Sequence, residues 1–229
     1  MKKTILLLVA GETSLSVKMV FGDKASWFKS VLEECGAHMK TIDAYKGETY
    51  DENDGDAWII TGSADSVMEN KDWMVYMEDK IIKAHKLNKP ILGVCFGHQI
   101  LAKALGGEVI RNPVGWEVGS HDVFLTEQGQ KTGLYKNLPP SISVYETHQD
   151  TVSKTPPTSK LLAKNSMGVQ SFMINKSYGI QFHPEFSYDI MRSYCDLNKS
   201  QGIKFKPDKN IDTNDGKAVL KNFILELLD

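Results

Sequence analysis

The chain has 229 residues, 41% hydrophobic and 24% charged, with a formal net charge of −2 from 27 basic and 29 acidic side chains. This is the makeup of an ordinary soluble globular protein, and the near-balance of charge excludes a broad electrostatic footprint for nucleic acid or for an anionic membrane surface. Three scattered cysteines (Cys35, Cys95, Cys195) exclude a disulfide framework and point to a reducing, cytoplasmic setting, and no apolar run approaches the ~20 residues of a membrane span.

Thr4–Ala10 reads as a first strand, apolar on both faces as in a parallel sheet covered by helices. Asp23 is placed to cap a helix running to Cys35, with Trp27, Phe28, Val31 and Leu32 at helical spacing and Gly36 ending it. His38–Ala44 follows as a strand, Lys46–Gly55 as a polar loop, and Ala57–Ile60 as a short buried strand that stops at Thr61–Gly62–Ser63. From Lys71 to Leu87, Trp73, Met77, Ile81 and Ala84 form one helical stripe. Pro90 then opens a strand that runs into Cys95, and a helical pattern from Gln99 to Leu105 is stopped by Gly106–Gly107.

Strand and helix thus alternate over the first hundred residues, which predicts a three-layer α/β fold: a mostly parallel central sheet with helices on both faces. Beyond Gly107 short strands are predicted at Glu108–Arg111, Val118–Leu125, Ser141–Glu146, Lys160–Ala163 and Met167–Ile174, a small antiparallel addition with no linker before it. Residues 1–229 are therefore read as one domain. Tyr178–Phe182 is a further strand ended by His183–Pro184–Glu185, Cys195–Asp215 reads as a solvated loop, and Val219–Leu228 as a closing amphipathic helix.

The chemistry gathers at Cys95. A buried strand, a sharp turn and a helix, with Gly93 and Gly97 on either side of the cysteine, is the pattern of a nucleophile elbow. Helix amides and the positive end of its dipole favour negative charge on a sulfur so placed. A cysteine nucleophile needs a base, and the base an orienting acid. Among six histidines, His183 follows a strand directly and has Glu185 two residues on, on the same side of an extended segment. Ligands of open α/β sheets bind beyond the carboxyl ends of the strands, so Thr61–Gly62–Ser63 and Cys95 are predicted to share a crevice. His98 is read as a packing residue beside the nucleophile, and no set of histidines has metal-ligand spacing. No phosphate-cradling glycine loop occurs.

The elbow G-x-C-x-G-x-Q (Gly93, Cys95, Gly97, Gln99) together with His183–Pro184–Glu185 resembles the class I glutamine amidotransferases, over roughly residues 4 to 190. Within that family the chain looks like its free-standing members related to the glutaminase part of GMP synthase, gamma-glutamyl peptidases included. The resemblance implies a flavodoxin-like fold and a Cys95–His183–Glu185 triad. It implies an oxyanion site made by the Gly62 and Phe96 amides, and substrate contacts from Gln99, Trp116, His148, Gln149 and Asp150. Gln149 stands where GMP synthases usually carry glycine. The implied reaction is glutaminase-type cleavage of a gamma-glutamyl amide through a cysteine thioester, without cofactor or metal. The implied partners are glutamine or another gamma-glutamyl small molecule and either a separate synthetase subunit that takes the ammonia or none, the chain then acting as a stand-alone gamma-glutamyl hydrolase. A catalytically silent binding module is the remaining alternative.

Overall fold

The computed structural model describes residues 3–205 and 214–226. In chain order the strands and α-helices are β1 (Thr4–Leu8), α1 (Leu15–Phe21), α2 (Lys24–Glu34), β2 (His38–Ile42), β3 (Ala57–Ile60), α3 (Asp72–Lys86), β4 (Ile91–Val94), α4 (Phe96–Ala104), β5 (Glu108–Arg111), β6 (Glu117–Leu125), α5 (Glu127–Gln130), β7 (Ser141–His148), β8 (Asp150–Lys154), β9 (Lys160–Asn165), β10 (Gly168–Ile174), β11 (Ser177–Ile180), α6 (Tyr188–Ser200) and α7 (Gly216–Glu226).

A nine-stranded sheet has the order β2-β1-β3-β4-β11-β10-β9-β6-β7. Its first five strands pair in parallel and the last four antiparallel. The strands β3, β4 and β11 are buried along their whole length, as strands covered on both faces should be. Alternation along β1 feeds two cores: Ile5 and Leu7 pack with Phe28 and Leu32 of α2 and Leu220 and Phe223 of α7, while Leu6 and Leu8 pack with Met77 and Ile81 of α3 and Ile100 of α4. Asp23 caps α2 as predicted, its carboxylate accepting from the Ser26 amide at 3.0 Å, a contact typically worth about 1 kcal/mol.

The structure departs from the sequence-based expectation in several places. The antiparallel strands extend the central sheet, and only β5 and β8 form a separate two-stranded ribbon. The α3 stripe is centred on Met74, Met77, Ile81 and Ala84; Trp73 sits at its margin against Phe96, ring centroids 5.4 Å apart. The helix after Cys95 begins at Phe96, three residues earlier than its apolar periodicity indicates. The predicted loop from Cys195 is helical to Ser200, with Cys195 and Asn198 buried on the inner face of α6. The rest of that loop lies partly outside the described residues, as does the end of the closing helix.

The topology settles where a site can form. Because β3, β4 and β11 are neighbours, the residues after their carboxyl ends (Gly62, Cys95 and His183) emerge side by side.

Candidate active site

Cys95 follows β4 and takes φ 53°, ψ −104°, a backbone conformation that side chains rarely adopt and that costs on the order of 1–3 kcal/mol. Its amide still bonds Ile180 of β11 at 2.9 Å, so the sheet grips the residue up to the point of the turn. The flanking glycines are required sterically. A Cβ on Gly93 would stand 2.2 Å from the Gly97 carbonyl oxygen, and one on Gly97 would stand 2.2 Å from that of Ile60. Because α4 starts at Phe96, directly after Cys95, the amides that open the helix are free of helical partners at the elbow.

His183 reaches the sulfur from β11. Its amide donates to Tyr145 of β7 at 2.8 Å, and Asn214 Nδ2 donates to its carbonyl at 2.9 Å and to that of Phe186 at 3.0 Å. Nδ1 donates to Glu185 Oε1 at 2.8 Å. Nε2 makes no hydrogen bond of full geometry and faces the Cys95 thiol, a looseness common before substrate tightens a site. Burial by itself would lower the imidazole's pKa. The charges of Glu185 and Cys95, with their hydrogen bonds, outweigh burial and push it up to about 10. The arrangement therefore favours an imidazolium held between carboxylate and sulfur.

Gly62 closes the third side. A Cβ there would lie 2.9 Å from His183 Cε1 and 3.5 Å from Cys95 Cβ, so only glycine lets the loop after β3 approach so closely. Among the described residues, no protein acceptor takes the Gly62 amide. Its carbonyl is held by a residue that carries no signal in the sequence. Lys24 is buried, and its Nζ donates to both Gly62 and Gly11 carbonyls at 2.9 Å. In the sequence it is merely a lysine opening an amphipathic helix, and nothing local distinguishes it.

A family model, "Glutamine amidotransferase class-I", matches residues 25–194. The chain belongs to the class I glutamine amidotransferase family. It is 32% identical to gamma-glutamyl peptidase 4 of Arabidopsis thaliana over 83% of this chain and 78% of that one. It is 36% identical to one subunit of the glutamine-hydrolyzing GMP synthase of Pyrococcus furiosus, over 52% of this chain and 66% of the other. A glutamine amidotransferase crystal structure from Thermotoga maritima superposes over 100% of both chains with a TM-score of 0.78 at 19% identity, a likeness of fold.

In this member of the family, the other predicted site residues mostly bind one another. Gln99 donates to the Asp150 carbonyl at 3.0 Å and to Gln181 at 3.2 Å. His148 donates from Nδ1 to the same Asp150 carbonyl at 2.9 Å, while Nε2 meets Glu117 at 2.9 Å. Ser66 donates to the Asp150 carboxylate at 2.6 Å. Both ring nitrogens of His148 are thus engaged internally, and this network underlies the site. Gln149 turns away to accept from Arg111. Trp116 is half-buried against the cluster that contains Phe186 and Tyr145. His98 is fully buried on Phe172, ring centroids 5.1 Å apart, and burial lowers its pKa to about 3, which keeps it neutral.

Glu146, which no sequence motif marks, is buried beside this network. Its carboxyl oxygens have no hydrogen-bond partner among the described residues, although Oε2 comes within 3.4 Å of His148 Nε2. Glu117, Glu146 and His148 present ligand atoms within 4.8 Å of one another, the grouping that would fit a cation among the described residues. No helix of the described residues is long and apolar enough to cross a membrane.

Proposed function

We propose that the chain is a single-domain cysteine amidohydrolase that cleaves the side-chain amide of glutamine or of another gamma-glutamyl compound. The convergence of Cys95, His183 and Gly62 beyond three adjacent strands, with Glu185 fixed on His183 Nδ1, carries this reading. The Cys95 sulfur attacks the amide carbon and the carbonyl oxygen becomes an oxyanion. That oxygen rests on the Gly62 and Phe96 amides, each such donor being worth ~3 kcal/mol. His183 gives its Nε2 proton to the departing nitrogen, and a gamma-glutamyl thioester remains. Water that loses a proton to His183 then hydrolyses the thioester, releasing glutamate and the free thiol. Glu185 keeps the imidazole in one orientation throughout.

Gln99, His148 and Asp150 serve in this scheme as the floor that holds the substrate-binding backbone, with Trp116 and Gln149 at its edges. Replacing Cys95 by serine and following glutamate release from glutamine and from a panel of gamma-glutamyl dipeptides tests the assignment. Turnover near that of the parent would overturn it.

Two fates of the amine divide the family. The similarity to gamma-glutamyl peptidases spans 83% of the chain, whereas that to the GMP synthase subunit spans 52%. This supports a stand-alone gamma-glutamyl hydrolase as the second reading, and the same panel separates them. Robust turnover of dipeptides by the isolated chain favours the hydrolase. Glutaminase activity that rises only with a synthetase favours ammonia transfer.

A further inference from the structure

Lys24 opens α2 but turns its ammonium inward. Nζ donates to the carbonyls of Gly11 and Gly62, and the backbone amide of Lys24 donates to Thr13 Oγ1 at 3.1 Å. One residue therefore ties the start of α2, the loop after β1 and the loop after β3. Burying an ammonium costs several kcal/mol unless charge compensates it, and two neutral carbonyls do so only in part. The charges that face it are Glu185 from the turn after β11, Cys95 from the elbow, Asp65 from the loop after β3 and Glu12 from the loop after β1. A methionine would fill the same space without the desolvation cost. A buried charge kept at this place calls for a role other than packing.

We propose that Lys24 is a positioning residue that clamps the Gly62 peptide for oxyanion binding and supplies the fixed positive charge that balances Glu185. Glycine has no preferred orientation of its own, and the loop needs glycine at 62 to clear His183. The freedom this leaves is removed at the carbonyl, where Lys24 Nζ and Thr61 Oγ1 both donate, the latter at 3.1 Å. Thr61 Oγ1 is itself fixed by the Ala10 amide at 3.0 Å. The Thr61 amide donates to the Leu8 carbonyl at 3.0 Å, so with the Gly62 carbonyl also held the backbone is anchored on both sides of the Thr61–Gly62 peptide that carries the Gly62 N–H. Among the triad and Lys24 alone the charges also balance. With sulfur and imidazole as an ion pair, Glu185 and Lys24 cancel; with sulfur acylated and imidazole neutral, they cancel again. The Lys24 charge thus offsets that of Glu185 while Glu185 holds Nδ1 at 2.8 Å. Burial lowers the Lys24 pKa to about 8, so alkaline pH discharges the clamp.

The proposal rests on the gamma-glutamyl reading and is tested with Lys24→Met and Lys24→Arg. Each is assayed with glutamine and gamma-glutamyl dipeptides from pH 6 to 10, beside the rate at which iodoacetamide alkylates Cys95. For Lys24→Met, kcat is expected to fall on the order of 10-fold to 100-fold with KM nearly unchanged, as for a lost oxyanion contact. Alkylation at neutral pH is expected to slow. Lys24→Arg keeps its charge at all these pH values, so it should recover part of kcat and move the alkaline fall in activity upward from near pH 8. A folded Lys24→Met enzyme with parental kcat, pH profile and alkylation rate would overturn the proposal. If that variant does not fold, an alkaline limb unmoved in Lys24→Arg would do the same. If the parent chain cleaves none of the substrates, the gamma-glutamyl reading has failed, and the alkylation rates alone decide the role of Lys24.

Discussion

The imidazole of His183 lies flat on the ring of Phe186, centroids 4.1 Å apart and planes 11° from parallel, and Phe186 stacks in turn on Tyr194 of α6 at 5.1 Å and 2°. Trp27 of α2 packs perpendicular to the Phe186 ring at 5.7 Å. Glu185 fixes one nitrogen of the imidazole, and this stack fixes the plane in which the other can point. Phe186→Ala removes the platform and leaves the hydrogen bond. A catalytic group held loosely by even 1 Å loses on the order of 100-fold in rate, so kcat should drop between 10-fold and 100-fold while KM moves little. Stability should fall by about 3 kcal/mol, as for other buried aromatic truncations. Steady-state kinetics below the melting transition separate the two effects, and Phe186→Tyr, which keeps the ring, should retain most of kcat.

The glycine frame makes a second prediction, through packing alone. Gly97→Ala would press a methyl group to 2.2 Å from a β3 carbonyl that cannot move without breaking the sheet. A loss of 3 kcal/mol or more is expected, at the upper end for overpacking. Gly36→Ala is the matched control, since nothing lies within 4 Å of its added methyl and only its φ of +71° is strained. It should cost about 1–2 kcal/mol. Equal urea midpoints for the two variants would refute the steric account of the elbow.

The elbow is legible in the amino-acid order itself, because it depends on residues close together along the chain. Continuous apolar runs mark β1, β3 and β4, and the frame around Cys95 and the His183–Glu185 pair each lie within a few residues. What stays hidden depends on distant neighbours. The helix α6 is polar over most of its surface and buries a narrow stripe of Ile190, Met191, Cys195 and Asn198, too thin a signal beside the charged residues around it. Helix α1 carries Leu15, Met19 and Val20 exposed and Val17 buried, so its apolar residues show no single face. Lys24 and Glu146 gain meaning only when the loops after β1 and β3, and the strands β6 and β7, are brought beside them.

Glu146 allows a prediction about acid and base. Burial first, then the charges of Glu117 and Cys95, hold its pKa well above the usual carboxylate value. The folded protein therefore binds a proton here that the unfolded chain releases above pH ~4.5, and stability declines as pH rises beyond that point. Glu146→Gln removes the titration while keeping the shape. Its stability relative to the parent should rise between pH 5 and pH 8, read by urea denaturation at each pH. A constant difference between the two proteins would mean that Glu146 is ionised in the fold.

His183 and Lys24 should leave opposite marks on the alkaline side. The His183 pKa is raised to about 10, so its contribution is complete below pH ~6.5 and is lost progressively as pH climbs toward 10. The Lys24 pKa is lowered to about 8, so between pH 8 and the ordinary lysine value of 10.5 the unfolded chain binds more protons and stability gains with pH. Either slope can reach about 1.4 kcal/mol per pH unit. The two nearly cancel above pH 8, and their shared part of the parent's stability curve should fall from pH 6.5 to 8 and then level. In Lys24→Met the fall should continue toward pH 10, whereas in His183→Gln the curve should stay level to pH 8 and then rise. Urea midpoints at half-unit steps from pH 6 to 10 for the three proteins check this. Parallel curves above pH 8 would show that the two groups do not titrate where the burial and charges around them place them.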